Sequence, residues 1–293
     1  MRLAVRFLRP VVTAVVVVQL AACSQQPVVA LSRDEPLSMD DVSECRDLLV
    51  ADAVSDDALD SSHIRLFNWN LQKSRAPGWR DDFDALVGSA DLVLFQEASI
   101  REDTIDAIDS SLHWSFAPGY STLGEITGVM TLSKSAPLSQ CTFSASEPWL
   151  RTPKAASLTQ YALSGSDETL VVVNVHAVNF TFGTDEYAAQ FRQLGEVLEA
   201  HTGPIILSGD LNTWRGKRAR IVADLAESLS LSPVGFDTDH RKRMFGKALD
   251  HIYVRGLQIL DAETEIVSTS DHNPMIAEFG IAGMPLPTAV LAE

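Results

Sequence analysis

Six short polar motifs close six apolar runs of this 293-residue chain: Trp69-Asn70, Gln96-Glu97, Asn174-Val175-His176, Gly209-Asp210-Leu211-Asn212, Leu249-Asp250-His251 and Ser270-Asp271-His272. Together they offer carboxylates, amides and imidazoles, but no thiol. Oxygen and nitrogen donors of this kind suit a hard divalent cation, Mg²⁺ or Mn²⁺, and a phosphate ester. They do not suit structural zinc or an iron–sulfur cluster. In Gly209-Asp210-Leu211-Asn212 the glycine permits a tight exit from a strand, and Asp210 and Asn212 project to one side while the chain stays extended. A carboxylate there can orient a water nucleophile and an amide can donate to a phosphate oxygen; taken alone, the motif reads equally well as an Asx turn. Ser270-Asp271-His272 precedes Asn273-Pro274, which holds the backbone extended. His272 is the side-chain type suited to acid–base work near neutral pH, and Asp250, opening a strand, is placed to orient its ring.

Glu97 ends the run Leu92–Gln96, where partial burial of a carboxylate calls for a cation or donors, and Asn70 ends Ile64–Trp69 similarly and could share that ion. His176, at the end of Leu170–Val175, is a candidate to contact phosphorus or to protonate the leaving oxygen; in isolation it reads as a satisfied core histidine. Two basic clusters adjoin these motifs, Arg215-Gly216-Lys217-Arg218 with Arg220 and Arg241-Lys242-Arg243. Arg218 is the candidate for capturing an anionic substrate, with Trp214 and Arg151 at the rim; the bland alternative for these clusters is a solvated surface.

The elements that must position these groups are read from hydrophobic patterning. Strands are expected over 63–70, 91–97, 126–133, 154–163, 169–176, 204–209, 249–255, 264–269 and 274–279. Helices are expected over 78–89, 100–111, 184–200 and 217–230, with a short one between Met39 and Val54. The pair 154–163 and 169–176 reads as a hairpin, so the sheet cannot be purely parallel. The fold class is α/β (α+β), two mixed sheets covered by helices in one domain spanning 63–280, followed by a tail over 281–293.

The N-terminus differs. Arg2, Arg6 and Arg9 precede the apolar run Val11–Leu20, which is shorter than the ~20 residues a spanning helix needs, so 1–22 reads as a secretory signal. The ending Leu20-Ala21-Ala22-Cys23 resembles a bacterial lipobox, which makes Cys23 the lipidated residue. Ser24 after it fits sorting to an outer membrane, with the protein facing the periplasm. Residues 23–62 read as an acidic tether, with ten acidic against two basic side chains over 24–62. The formal charge is −16, so the chain lacks the basic footprint of an avid nucleic-acid binder. Cys45 and Cys141 remain as an even pair in an oxidising compartment; one disulfide or two unrelated thiols are both compatible with the sequence.

In their order along the chain, Trp69-Asn70, Gln96-Glu97, Gly128-Val129 to Ser133, the His176 strand, Gly209-Asp210-Leu211-Asn212, Asp250 and Ser270-Asp271-His272 resemble the endonuclease/exonuclease/phosphatase superfamily. Those metal-dependent phosphoesterases include pancreatic deoxyribonuclease, abasic-site endonucleases, inositol polyphosphate 5-phosphatases and bacterial sphingomyelinases. Asn174-Val175-His176-Ala177-Val178-Asn179-Phe180 resembles an uncharacterised bacterial branch. The resemblance implies a four-layer α/β/β/α sandwich with the site where the sheets open. It implies Mg²⁺ on Glu97, assisted by Asn70 and Asp271, and Asp210 positioning water. It places Asn212 and His176 on the phosphate or leaving group, and His272, oriented by Asp250, as base or transition-state stabiliser. Asn212 is followed by Thr213-Trp214, and no large insertion resembles a DNA-gripping element, which turns the expectation away from duplex DNA. The expected activity is hydrolysis of an anionic phosphate ester, most simply a diester, by a lipid-anchored enzyme with no obligate protein partner. A nuclease acting on extracellular or periplasmic DNA, with nucleic acid as substrate only, and an inactive scaffold lipoprotein are the alternatives.

Overall fold

A computed structural model describes residues 31–32, 38–50, 55–100, 104, 108, 111–122, 125–147, 152–181 and 183–282. The proposed signal segment, Cys23, Arg151 and residues 283–293 of the tail lie outside the described residues, as does most of the helix expected over 100–111.

Runs of Val, Ile, Leu and Phe form strands because branched and aromatic side chains fit a pleated surface. In chain order the strands are β1 (Leu31–Ser32), β2 (Ser38–Met39), β3 (Ile64–Asn70), β4 (Leu92–Ser99), β5 (His113–Thr122), β6 (Glu125–Ser133), β7 (Ser139–Ser146) and β8 (Pro153–Ala162). They continue with β9 (Thr169–His176), β10 (Ile205–Asp210), β11 (Ser232–Pro233), β12 (Arg243–Met244), β13 (Lys247–Ala248), β14 (Asp250–Arg255), β15 (Leu257–Thr264) and β16 (Met275–Ile281). The helices are α1 (Val42–Val50), α2 (Trp79–Val87), α3 (Asp185–Leu198) and α4 (Gly216–Ser228). One seven-stranded sheet runs β1-β5-β6-β4-β3-β16-β15 and a second runs β11-β14-β10-β9-β8-β7-β2. Both are mixed: β3 lies parallel to β4 and β9 to β10, and the expected hairpin of β8 with β9 is antiparallel.

Alternation along each strand sorts the side chains into three apolar layers. Between the sheets lie Leu66, Leu94, Val172, Ile206, Ile252 and Phe279. Outside the first sheet Phe67, Trp69, Val93 and Phe95 meet Trp79, Phe83 and Val87, the i, i+4, i+8 stripe of α2. Outside the second, Val171, Val173, Val175 and Leu207 meet Tyr187, Phe191, Leu194 and Leu198 of α3. The result is an α/β/β/α sandwich.

The second half of the expected tether is built into this body. Cys45 and Leu49 of α1 are buried against the outer face of the second sheet, β2 pairs with β7, and Cys45 is disulfide-bonded to Cys141. A domain start at residue 63 therefore omits a part that packs on it. The strand expected over 264–269 is corrected: β15 ends at Thr264 and residues 265–270 are irregular. Its exposed face carries Gln258, Asp261 and Glu263, which disguised it as polar chain.

Candidate active site

The inner faces of the two sheets change character toward one end. Along β10 the inward positions read Ile206, Ser208, Asp210; along β9, Val172, Asn174, His176; along β3, Leu66, Asn68, Asn70; and β14 brings Val254, Ile252, Asp250. Apolar core gives way to a layer of amides and hydroxyls, and that layer to ionisable groups.

The middle layer is a closed buried network. Gln96 Nε2 donates to Asn68 Oδ1 at 3.0 Å and to Asn174 Oδ1 at 2.7 Å. Asn174 Nδ2 donates across to the Met130 and Phe95 carbonyls at 3.0 and 3.2 Å, and Ser208 Oγ donates to Asn68 Oδ1 at 3.0 Å. Bonds of this kind join one sheet to the other, so the two halves of the site cannot slide independently.

Register then lines up the ionisable groups. Asp210 is paired with His176 on one side and with Asp250 on the other. Gly209, at φ 144°, lets β10 approach β9 closely: a Cβ there would lie 2.0 Å from the Val175 carbonyl oxygen. His272 enters from the segment before β16. Its backbone carbonyl accepts from Trp69 Nε1 at 2.9 Å, its N–H donates to Ser270 Oγ at 3.1 Å, and Ser270 Oγ donates to the Asn70 carbonyl at 2.6 Å. The ring Nδ1 is 2.8 Å from Asp250 Oδ2, leaving Nε2 facing Asp210 Oδ2 at 3.9 Å. On the other side of Asp210, His176 Nε2 stands 3.6 Å from the same oxygen. Asp210 also accepts from Asn70 Nδ2 and from the Asn212 backbone N–H, both at 3.1 Å.

Strict alternation would turn Glu97 away from this row, because Gln96 points inward. A β-bulge between Phe95 and Ala98 and a left-handed φ of 49° at Glu97 re-aim it. Its carboxylate lies 3.9 Å from His176 Nε2 and 4.0 Å from Lys73 Nζ.

Electrostatics separate the roles. Burial raises Asp210 to about 7, with the Asp250 charge adding to the rise and the His272 charge opposing it. For His272 burial acts downward, but the charge and hydrogen bond of Asp250 and the charge of Asp210 outweigh it and lift the ring to about 9. His176 is held well below the ordinary imidazole value by burial, reinforced by the positive charge of Lys154. At neutral pH His272 therefore keeps its proton, His176 is neutral and Asp210 is poised near half-ionisation.

Sequence reading missed Lys154. It is 8% exposed and its Nζ lies 3.1 Å from His176 Nε2. Lys73, in a left-handed position after β3, was also missed; both ammonium groups lie over the Tyr120 ring, at 5.8 and 5.5 Å. The only signal for Lys154 was a cation inside an otherwise small and apolar strand.

Asp271 lies at the mouth, 46% exposed, with one oxygen bound to Lys242 and the other 4.0 Å from His272 Nε2. Asn212 Nδ2 donates to the Ala177 carbonyl at 3.0 Å, so the amide braces the strand ends. Trp214 is half-buried, its Nε1 donating to Asn179 Oδ1 at 2.8 Å. Arg218, expected to capture substrate, is 1% exposed. Its guanidinium donates to the Val178 and Asn179 carbonyls at 2.7 and 2.5 Å and lies over the Tyr187 ring. It pins the loop after His176 from beneath, where a solvent-borne anion does not reach it.

Asp210, Asp250 and His272 each present one ligand atom, all within 4.8 Å of one another and all buried. Asp250 Oδ1 is buried without a hydrogen-bond partner, an acceptor that favours a nearby cation. The donor set fits a divalent ion.

The profile of the endonuclease/exonuclease/phosphatase family matches residues 67–272. The chain belongs to that family. Among relatives, the UPF0294 protein of Vibrio parahaemolyticus is 35% identical over 222 residues, covering 75% of this chain and 79% of that protein. A UPF0294 protein of Vibrio cholerae is 39% identical over 219 residues, covering 74% of this chain and 77% of that protein. The endonuclease/exonuclease/phosphatase of Beutenbergia cavernae shares the fold at a TM-score of 0.59 with 15% identity, covering 77% of this chain and 73% of that one. The human Nocturnin catalytic domain does so at 0.58 with 14% identity, covering 77% and 96%. Family membership and the buried Asp-Asp-His cluster make the protein a metal-dependent phosphoesterase.

Proposed function

We propose that this enzyme is a Mg²⁺- or Mn²⁺-dependent phosphodiesterase of the bacterial cell envelope, anchored through lipid on Cys23 and facing the periplasm. The observation that carries the chemistry is the row His176–Asp210–Asp250 with His272 clasped by Asp250. Glu97 and Asn70 would hold the ion, joined by Asp271 on release from Lys242, beside the Asp210–Asp250–His272 cluster, where Asp250 Oδ1 is the carboxylate oxygen that His272 does not engage. When bound, the ion would neutralise charge on the phosphoryl oxygens.

The remaining work falls to the chain's own groups. Asp210, at about 7, takes the proton of the attacking water as its oxygen bonds to phosphorus. Asn70 and the Asn212 N–H hold that carboxylate in place. His272 donates from Nε2 to a phosphoryl oxygen, so its role is stabilisation and not that of base. On the leaving side the bond from phosphorus to the ester oxygen breaks as that from water forms; Lys154 meets the charge on the departing oxygen and gives it a proton, and the neutral His176 ring beside it orients the group. The diester reading is supported by the charge balance of the described site: Lys242 is tied to Asp271 and Arg241 to Asp239 and the Asp250 carbonyl, which leaves Lys73 and Lys154 for the substrate, less than a dianionic monoester calls for.

Envelope placement is supported by the sequence ending at Cys23 and by the buried Cys45–Cys141 bond, which persists in oxidising compartments. No described helix is long and apolar enough to cross a membrane. Turnover of bis-p-nitrophenyl phosphate, p-nitrophenyl phosphate and plasmid DNA, each with Mg²⁺, Mn²⁺ or EDTA, tests the activity. The diester should be hydrolysed with metal and at least about a hundredfold slower by His272→Ala. Preference for the monoester would reject the diester assignment, DNA cleavage alone would favour the nuclease, and no turnover would favour the scaffold. Cys23→Ala should release the protein from membranes; unchanged fractionation removes the anchor.

A further inference from the structure

Three loops that carry site residues at their bases rise to a common rim. The first follows His176 and bears Phe180, 58% exposed. The second follows Asp210 and bears Trp214, whose Nε1 is bound to Asn179, the neighbour of Phe180. The third is the hairpin β12–β13 before Asp250, with Met244 at 37% and Phe245 at 82% exposure. The Phe245 and Trp214 ring centroids are 6.1 Å apart, so the apolar groups of these loops adjoin.

The hairpin tip is chemically anomalous. Phe245 and Gly246 form its two-residue turn, with φ of 51° and 78°. Such turns favour Asn-Gly or Asp-Gly, because an L side chain with a large ring is disfavoured in the left-handed region. Here a phenylalanine takes that position and presents its ring to solvent. Cations surround it. Arg215, Arg243 and Lys247 are exposed, the Arg215 guanidinium lies 4.3 Å over the Trp214 ring, and four bases stand against one acid between residues 239 and 248. The chain as a whole carries −16.

From this we propose that the rim is an interfacial docking surface, and that its partner is a lipid surface bearing anionic headgroups. Phe245, Phe180 and Met244 enter the headgroup boundary, while Arg215 and Lys247 pair with phosphate; Arg243 is held by Asp239 and the Gly246 carbonyl. Charge complementarity selects the orientation. An acidic protein is repelled from an anionic surface on its other faces and admitted where the basic rim meets it, which turns the site toward the lipid. This deepens the phosphodiesterase reading and rests on it only for the substrate: the ester would be a phospholipid presented at its own interface. The neighbouring aromatic rings could instead stack a nucleobase, and the test separates the two.

The chain from Ser24 keeps every described element, both sheets and the disulfide, and removes the apolar leader. Its co-sedimentation with vesicles of phosphatidylcholine and phosphatidylglycerol at 7:3 should exceed that with pure phosphatidylcholine and fall with salt. Phe245→Asn installs the residue the turn prefers, so the fold is retained, and partitioning should drop about tenfold. Bis-p-nitrophenyl phosphate turnover should be unchanged, because that ester needs no interface. Equal partitioning of wild type and Phe245→Asn overturns the proposal. So does unaltered vesicle binding with a raised KM for thymidine 5′-p-nitrophenyl phosphate, which assigns the rim to a base. Phe245-dependent vesicle binding without any ester turnover sustains the docking surface and rejects the phosphodiesterase instead.

Discussion

Replacing Asp250 by Asn removes the charge that holds a proton on His272 while leaving an oxygen able to accept from Nδ1. The His272–Asp250 contact is 2.8 Å and buried on both sides; against the downward pull of burial it is the leading cause, with the charges of Asp210 and Asp271, of a rise in the ring from the ordinary 6.5 to about 9. If the substitution returns the ring to its ordinary value, the protonated fraction at pH 8 falls from about 90% to about 3%, roughly thirtyfold. At pH 6 the two fractions are nearly equal. The wild-type pH–rate profile for bis-p-nitrophenyl phosphate should rise through about 7 as Asp210 ionises and fall through about 9 as His272 loses its proton. In Asp250→Asn the upper limb should move down toward 6.5, so the wild-type to variant ratio grows from pH 6 to pH 8. A ratio constant across that range would refute the claim that Asp250 acts by keeping His272 charged, and would leave it a purely steric role.

Asp210→Asn should abolish turnover yet raise Tm at pH 8. The folded value of about 7 lies above the unfolded 3.8, so the native state is penalised as pH rises from 3.8 through 7. Removing the carboxylate recovers up to about 4 kcal/mol at pH 8 and little at pH 4; thermal melts at both pH values check the sign. The double substitution Cys45→Ser with Cys141→Ser should lower stability by about 5 kcal/mol, as expected for cross-linking a loop of 96 residues, read by urea unfolding with and without reductant. Asn174→Leu should destabilise by about 3 kcal/mol, because the Met130 and Phe95 carbonyls and Gln96 Nε2 lose their partner in a buried layer. The same unfolding series measures it.

Much of the site was legible because its residues end strands buried on both faces. Leu170–Val173 and Ile205–Leu207 are unbroken apolar runs, so the polar groups that follow them stand out. The strands that escaped notice are those whose residues face water or turn. Strand β5 contains Pro118-Gly119, β7 is Ser- and Thr-rich, and β15 alternates charge along an edge. What sequence could not show is register. Asp210 between His176 and Asp250 follows from pairings across three strands, and Lys154 meets His176 only through the β8–β9 ladder. Arg218 misled because a basic run after a catalytic motif looks like surface, whereas one turn into α4 its side chain points down at the loop carbonyls.

Anomalous scattering from a crystal soaked in Mn²⁺ locates the ion without reference to turnover. A peak is expected at this strand edge, where Glu97 and Asn70 would hold the ion beside Asp210, Asp250 and His272, and it should be lost in Glu97→Gln. No peak along this strand edge, or a peak that survives Glu97→Gln unchanged, is the opposing result.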